Sequence, residues 1–250
     1  MDNRINSELN KKFKESNDKL ILLDYDGTLV NYASRPEKAI PTERLKNILV
    51  KLVDIPRLKI IIISGRLHHD IDLFLGHYPI DIIAEHGAMM KENGVWKQRI
   101  IDNGLWKQKI LPVLNRITLA CPNSFVEEKL FSLVWHYRNS DNESGFKYSR
   151  ELLQSLESIS HINNLKILDG NKVIEIMSNE NGKGNAVKKI IEKSKYDFIL
   201  SIGDDKTDEE MFEVLLPYNI AYSVKVGNGS TFAKYRVENV NDVFVLLEQL

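Results

Sequence analysis

The stretch Leu20-Ile-Leu-Leu-Asp-Tyr-Asp-Gly-Thr28 joins a continuous apolar run to a polar segment that begins at Asp24. A fully apolar run of this length is typical of a strand buried on both faces of a sheet. The β-branched, apolar segment Leu58–Ile63 predicts a second central strand. Ligands bind beyond the carboxyl ends of such strands in open α/β sheets, so Asp24 and its neighbours are candidate site residues.

Helical and strand patterns alternate on both sides of a central block. Residues 43–53 carry apolar side chains on one helical face, and Thr42 before them is the expected N-cap. Further helices are predicted at 67–75, 186–193, 208–216 and 242–249, and further strands at 80–84, 198–202 and 220–226. Residues 6–16 fit either a short docked helix or a linker. Alternation of strands and helices implies a parallel sheet with right-handed crossovers.

The central block has a different rhythm. Asn93-Gly94 within residues 89–101 predicts a hairpin, and a second hairpin over 165–177 is expected to turn at Asp169-Gly170. Helices are predicted at 105–119 and 149–159, with one long or two short strands over 125–138. The sequence therefore predicts an α/β fold, with a Rossmann-like parallel-sheet core in residues 1–104 and 179–250. An α+β cap domain is expected as an insertion at 105–178.

Bulk composition excludes some classes of protein. The 250 residues are 43% hydrophobic with a formal net charge of −1, so no basic surface suggests a nucleic-acid or membrane partner. The polar N-terminus is unlike a secretory signal peptide. The single cysteine, Cys121, excludes an internal disulfide and is expected to be a packing or loop residue, not a nucleophile. We therefore expect a reducing compartment, most simply the cytoplasm.

Four short motifs follow predicted core strands or begin helices. They are Asp24-Tyr-Asp-Gly-Thr28, Ser64-Gly-Arg66, Lys183 within Asn181-Gly-Lys-Gly184, and Gly203-Asp-Asp-Lys-Thr-Asp208. Each motif alone has an ordinary explanation as a turn, a helix cap, a loop or a solvated charge cluster. Their joint occurrence on one side of the predicted sheet favours a functional site.

The chemistry of these motifs is complementary. A carboxylate such as that of Asp24 can attack phosphorus, and a divalent cation lets the two anions approach each other. Asp24 and Asp204 offer the oxygen ligands that Mg²⁺ prefers. The Ser64 hydroxyl, the Lys183 ammonium and backbone N–H groups near Gly27 are candidates to bind phosphoryl oxygens. Asp26 is placed to protonate a leaving alkoxide and later to deprotonate water.

With these motifs the sequence resembles the haloacid dehalogenase superfamily of hydrolases. The resemblance implies Asp24 as nucleophile, Asp26 as acid and base, and Ser64 and Lys183 on the phosphate. It also implies Mg²⁺ held by Asp24, the carbonyl oxygen of Asp26 and Asp204, with Asp205 and Asp208 in or next to that shell. The core residues expected around the phosphate or substrate are Gly27, Thr28, Gly65, Arg66, Glu85 and His86.

Further segments narrow the resemblance to the trehalose-6-phosphate phosphatases. They include Glu85-His-Gly87, Val126-Glu-Glu-Lys129, His136-Tyr-Arg138 and Gly170-Asn-Lys-Val-Ile-Glu175. The sugar-binding residues expected in the insert are Glu127, Lys129, His136, Arg138, Asn171 and Glu175. The alternative is that these polar residues form the wet face of a one-sided sheet.

The family implies a substrate and a partner. We expect hydrolysis of trehalose 6-phosphate, with a trehalose-6-phosphate synthase as a partner. Two rival functions remain open. One is a phosphatase of another sugar phosphate, such as a sucrose or glucosyl phosphate. The other is a non-catalytic regulatory module of the same fold, which ought to lack one of the catalytic groups.

Overall fold

The computed structural model describes residues 3–33, 35–100 and 104–250. The chain divides into two compact units, of which the first comprises Met1–Arg99 with Gly182–Leu250, and the second Ile100–Asn181. These divisions fall a few residues from those expected at 104 and 178. The expected hairpin segment ended at Ile101, which lies outside the described residues.

The strands of the described residues are β1 (Lys19–Leu23), β2 (Leu58–Ile63), β3 (Asp81–Ala84), β4 (Met89–Glu92), β5 (Val95–Gln98), β6 (Phe125–Glu128), β7 (Ser132–His136), β8 (Leu165–Gly170), β9 (Val173–Ser178), β10 (Phe198–Gly203), β11 (Ala221–Val226) and β12 (Tyr235–Val237). The α-helices are α1 (Asn3–Glu15), α2 (Glu43–Val53), α3 (His68–Leu75), α4 (Lys107–Ala120), α5 (Asn142–Ile162), α6 (Lys183–Lys193), α7 (Lys206–Leu215) and α8 (Val240–Glu248).

The first unit contains a sheet with the strand order β12-β11-β10-β1-β2-β3-β4-β5. Neighbouring strands from β12 to β3 are parallel, and β4 and β5 are antiparallel. The strand β1 lies between β10 and β2, and its residues Leu20 to Leu23 are fully buried. This arrangement confirms the predicted α/β class and brings the carboxyl ends of β1, β2 and β10 to one edge of the sheet.

Two local predictions in the first unit are confirmed. Thr42 caps α2, because its Oγ1 accepts a hydrogen bond of 3.2 Å from the Leu45 N–H. The β4–β5 hairpin turns at Asn93 and Gly94, whose φ angles are 52° and 78°. Positive φ at both positions is what a tight type I′ turn requires, and Asn-Gly tolerates it.

The N-terminal segment is a docked helix. Leu9 and Phe13 of α1 are 2% exposed, and the Phe13 ring meets the Phe198 ring edge-on at 5.3 Å. The edge strand β12 was not predicted, because three residues give no readable alternation. Within the described ranges, every helix is too short or too polar to cross a bilayer.

The second unit has an antiparallel sheet in the order β6-β7-β9-β8, with α4 and α5 packed on it. Residues 125–138 therefore form two short strands. The predicted turn at Asp169-Gly170 is wrong, since both residues belong to β8 and Gly170 pairs with Val173. The chain turns at residues 171–172 because this register buries Ile174 and Ile176 completely.

Candidate active site

Asp24 and Asp26 lie in the loop that leaves β1. The Asp24 N–H donates to the Ile202 carbonyl of β10 at 3.0 Å, and Asp24 is 5% exposed. Gly27 has a φ of 82°, and a Cβ there would lie 2.1 Å from Asp204 Oδ2. Only glycine fits this conformation and this space. The motif therefore brings the end of β1 against Asp204.

Gly27 and Thr28, expected around the phosphate, have different surroundings. The Gly27 N–H donates to the Val30 carbonyl at 2.7 Å, so this N–H is committed to the loop. Thr28 is fully buried, and its hydroxyl has no hydrogen-bond partner among the described residues. The role of Gly27 in the site is thus the close approach of its backbone to Asp204.

Lys183, the first residue of α6, joins two carboxylates. Its Nζ donates to Asp24 Oδ1 and to Asp208 Oδ1, each at 2.7 Å, and its side chain is 3% exposed. Burial alone would lower the pKa of Lys183, but Asp208 and Asp24 together raise it well above its usual value. Lys183 is therefore a fixed positive charge beside Asp24.

The carboxylates of Asp208 and Asp205, in the segment after β10, accept different hydrogen bonds. Asp208 is fully buried, and its Oδ2 accepts the N–H groups of Asp204 and Asp205 at 3.0 Å each. Asp205 is exposed and caps α7, since its Oδ1 accepts the Lys206 N–H at 2.7 Å. Asp205, predicted in or next to a metal shell, thus serves as a helix cap.

Asp24, Asp204 and Asp208 form a carboxylate cluster in which one oxygen from each lies within 4.8 Å of the others. Two buried oxygens of this cluster, Asp24 Oδ2 and Asp204 Oδ1, have no hydrogen-bond partner in the described part of the chain. Lys183 supplies one positive charge against three carboxylates. An all-oxygen donor set with excess negative charge fits a divalent cation.

Protonation equilibria in this cluster reflect the crowding of like charge. Burial raises the pKa of Asp24; Lys183 opposes the shift, while Asp208 and Asp204 reinforce it. Burial also raises the pKa of Asp204 to about 6, against a lowering by its hydrogen bond from Tyr32. A divalent cation would favour the ionised forms of both carboxylates.

Tyr32 is a site residue that the sequence analysis missed. Its hydroxyl donates to Asp204 Oδ2 at 2.8 Å, although the residue is 67% exposed. Burial of the hydroxyl end and the neighbouring Asp204 carboxylate raise the pKa of Tyr32. The two residues are far apart in sequence, and an aromatic residue in the loop after the first motif was the only available signal.

The Ser-Gly-Arg motif follows β2. Ser64 is 1% exposed, and its Oγ accepts the Arg66 N–H at 3.2 Å. A Cβ at Gly65 would lie 2.4 Å from His86 Nε2, so a side chain there would displace the His86 ring. Arg66 was predicted to contact the phosphate or the sugar. In the structure it donates from Nε and Nη2 to Asp26, each at 2.7 Å, and from Nη1 to the Pro36 carbonyl at 2.8 Å.

A strained turn follows β3. Glu85 and His86 have φ angles of 52° and 55°, a conformation unfavourable for residues with a Cβ. The turn is held by the His86 N–H, which donates to the Ser64 carbonyl at 3.1 Å. The buried Glu85 contacts His68 Nδ1 through Oε1 at 2.9 Å. These contacts fix the His86 ring beside Gly65.

The second unit gathers the predicted polar residues into two groups. In the first, Glu127 Oε2 lies 2.8 Å from His136 Nε2, and this contact lowers the pKa of Glu127. In the same group, Glu175 Oε1 accepts from Ser132 Oγ at 2.6 Å and from Lys129 Nζ at 3.4 Å.

The second group lies at a turn. Arg138 Nη2 donates to the Asn171 carbonyl at 2.8 Å. Lys129 and Arg138 lie just beyond the ends of β6 and β7. The pKa of Glu127 is lowered by His136 and also by the charge of Lys129, so Lys129 lies near Glu127. Lys129 also contacts Glu175.

Comparisons with known proteins agree with this geometry. The family model described as trehalose-phosphatase matches residues 22–241. The chain is 38% identical over 97% of its length to a bifunctional trehalose-6-phosphate synthase/phosphatase of Thermoproteus tenax, covering 33% of that protein. It is 32% identical over 82% of its length to a trehalose-phosphatase of Saccharomyces cerevisiae, covering 26% of that protein.

Solved structures give the same result. The C-terminal domain of a C. albicans trehalose-6-phosphate phosphatase superposes with a TM-score of 0.89 at 29% identity, covering 97% of this chain and 94% of that one. The chain spans about a third of the length of the first curated relatives that it matches.

Proposed function

We propose, from the premise that the chain belongs to the trehalose-phosphatase family, that it is a Mg²⁺-dependent phosphatase. Its substrate is trehalose 6-phosphate. The observation that carries the proposal is the pairing of Asp24 with Lys183, next to two buried carboxylate oxygens that lack partners among the described residues. The choice of a sugar phosphate as the substrate rests on the family.

In the first step, the Asp24 carboxylate attacks phosphorus and the ester oxygen leaves as trehalose. Asp26 donates the proton that the leaving alkoxide needs. Lys183, fixed by two hydrogen bonds, stabilises negative charge on the phosphoryl oxygens, and the buried Ser64 hydroxyl is a second donor for them. The product of this step is an aspartyl-phosphate on Asp24.

In the second step, Asp26 removes a proton from water, which attacks the phosphorus and releases phosphate from Asp24. Asp24 and Asp204 would hold Mg²⁺, with the carbonyl oxygen of Asp26 as the third protein ligand carried over from the family. The ion supplies Lewis-acid polarisation of the phosphoryl group and neutralises charge between the anions. Asp208 orients Lys183 and the backbone of the loop, because its carboxylate accepts hydrogen bonds from Lys183 and from the N–H groups of Asp204 and Asp205.

We propose that the second unit, Ile100–Asn181, is the cap that selects the sugar. Glu127, Lys129, His136 and Glu175 combine carboxylates with cationic donors in one half-buried group. Such a group offers donors and acceptors to a polyhydroxylated ligand. Arg138 and Asn171 would contribute from the neighbouring turn.

The test is phosphate release from a panel of sugar phosphates, with Mg²⁺ and in excess chelator. We expect the highest kcat/KM with trehalose 6-phosphate, and no turnover without a divalent ion. A preference for sucrose phosphate or a glucosyl phosphate would favour the first rival function, a phosphatase of another sugar phosphate. Absence of release from every compound, with folded protein, would favour a non-catalytic module.

We also propose a trehalose-6-phosphate synthase as the partner of this chain, fused to it or separate. The T. tenax relative is named as a bifunctional synthase/phosphatase. The experiment is co-elution of the chain with the synthase of the same organism in size-exclusion chromatography.

A further inference from the structure

Tyr32 connects an exposed surface to a buried carboxylate. Its side chain is largely open to solvent, yet its hydroxyl reaches Asp204 Oδ2 at 2.8 Å. The loop that carries it is anchored two residues earlier, where Val30 accepts from Gly27 at 2.7 Å and donates to the Tyr25 carbonyl at 3.0 Å. The hydroxyl is therefore placed by a short, anchored loop.

This contact gives the two carboxylate oxygens of Asp204 different surroundings. Oδ2 takes the hydrogen bond from Tyr32 and lies against the backbone of Gly27, where a Cβ would come within 2.1 Å of it. Oδ1 is buried and has no hydrogen-bond partner among the residues described. Asp204 thus offers one free oxygen to the carboxylate cluster.

Hydrogen bonds also hold the other two carboxylates of the cluster, though not in the same way. Asp24 has Oδ1 on Lys183 and an Oδ2 without a partner in the described chain. Both oxygens of Asp208 accept hydrogen bonds, from Lys183 and from two backbone N–H groups. The cluster therefore presents single oxygens from Asp24 and Asp204, with their second oxygens held by Lys183 and Tyr32.

Single carboxylate oxygens suit the two alkaline-earth ions unequally. Mg²⁺ is small, binds through one or two carboxylates and keeps several waters, whereas Ca²⁺ takes more oxygens and readily uses both oxygens of one carboxylate. We propose that Tyr32 sets the metal selectivity of this site, by holding Asp204 Oδ2 away from the ion and so disfavouring Ca²⁺ relative to Mg²⁺. The inference rests on the proposed Mg²⁺-dependent function.

The experiment measures binding of Mg²⁺ alone and of Ca²⁺ alone to metal-free protein by isothermal titration calorimetry. Tyr32→Phe removes only the hydroxyl, and Tyr218→Phe, at an exposed tyrosine outside the cluster, is the matched control. The readout is the ratio of the two dissociation constants, because any change in the proton affinity of Asp204 acts on both ions alike. We expect Tyr32→Phe to shift this ratio about tenfold toward Ca²⁺, with Tyr218→Phe at the wild-type ratio.

Each alternative has its own signature. An unchanged ratio in Tyr32→Phe overturns the inference while leaving Mg²⁺-dependent hydrolysis by the wild type intact. A higher KM for substrate at an unchanged ratio would make Tyr32 a substrate contact, which also overturns it. Wild-type protein that binds neither ion would remove the proposed metal dependence and this inference with it. Thermal melting of each metal-free variant verifies that the comparison is made on folded protein.

Discussion

The Arg66 guanidinium group donates to both carboxylate oxygens of Asp26, with two hydrogen bonds of 2.7 Å. The guanidinium carbon lies 5.1 Å from the centre of the Tyr25 ring and 5.5 Å from that of Phe74. A third donor, Nη1, is used on the Pro36 carbonyl. We therefore expect Arg66 to position Asp26, the proposed acid and base, through the planar two-pronged contact of its guanidinium group.

Arg66→Lys keeps a positive charge near Asp26 but loses the two-pronged contact. We expect kcat for trehalose 6-phosphate to fall about tenfold to a hundredfold, since an unaligned acid or base contributes less of its usual 10²–10⁴. The loss should be smaller for an aryl phosphate, whose leaving group needs little protonation. Steady-state kinetics on both substrates provide the measurement.

The same data separate positioning from substrate binding. If Arg66 instead contacts the phosphate in the bound state, KM rises for both substrates while kcat stays near the wild-type value. That pattern would contradict the positioning role. Melting temperatures are needed beside the kinetics, because the substitution also leaves the Pro36 carbonyl without its donor.

The nucleophile can be tested by amides that preserve shape. Asp24→Asn keeps an oxygen to accept from Lys183 but has a poor nucleophile, so we expect no measurable turnover with any phosphate ester. Asp26→Asn should accept phosphate only from esters with good leaving groups, and should then release it slowly. Trapping of phosphorylated protein with an aryl phosphate, followed by mass spectrometry, locates the bound phosphate.

The control for this pair is Asp54→Asn, at an exposed carboxyl at the end of α2. It should retain wild-type rates. Near-normal hydrolysis of trehalose 6-phosphate by Asp24→Asn would reject Asp24 as the attacking group.

Local signals predicted most of the catalytic core. Strand β1 was readable because four consecutive buried apolar residues precede Asp24, and the Asn93-Gly94 turn because two positive φ angles demand such residues. The Asp169-Gly170 signal failed because burial of Ile174 and Ile176 sets the register of that hairpin. Core packing outweighed turn preference there.

Contacts between distant residues were beyond the sequence patterns. The sequence pattern predicted that Asp24, Lys183 and Asp204 lie at one edge of the sheet, because their motifs follow predicted strands or begin predicted helices. It did not show that Arg66 faces Asp26 or that Tyr32 reaches Asp204. Both pairs join loops whose paths depend on tertiary packing, and neither has a spacing that marks it.

The raised pKa of Asp204 makes a prediction about metal-free protein. Burial raises this pKa from 3.8 to about 6, so the folded state binds the proton more tightly than the unfolded chain. The resulting stabilisation is present below about pH 4 and is lost as the pH rises through 6. Asp204→Asn has no such dependence, and its free energy of unfolding should gain about 1–3 kcal/mol relative to wild type between pH 4 and pH 7.

Urea unfolding at pH 4, 5, 6 and 7, on protein dialysed free of divalent ions, measures this difference. Mg²⁺ at pH 7 should stabilise the wild type more than the variant, because ligand binding stabilises the folded state. A difference between the two proteins that stays constant across the pH range would show that Asp204 carries no raised pKa.

The polar group of Glu127, Lys129, His136 and Glu175 in the second unit gives the sharpest test of substrate choice. Lys129 Nζ contacts Glu175 at 3.4 Å, and Glu175 also accepts from Ser132 Oγ at 2.6 Å. Glu175→Ala would leave both the Ser132 hydroxyl and Lys129 without this acceptor. Lys129→Met is the cleaner variant, because it keeps most of the side-chain length and removes the charge. We expect kcat/KM for trehalose 6-phosphate to fall by about one to two powers of ten, as for loss of a hydrogen bond to a charged group. Hydrolysis of a small aryl phosphate, which makes no such contact, should change little.

The matched control is Lys147→Met on the exposed surface of α5, which should leave the hydrolysis of both substrates unaffected. Equal losses on the two substrates would mean that Lys129 supports the fold, and no loss on either would mean that this face of the second unit is solvated surface.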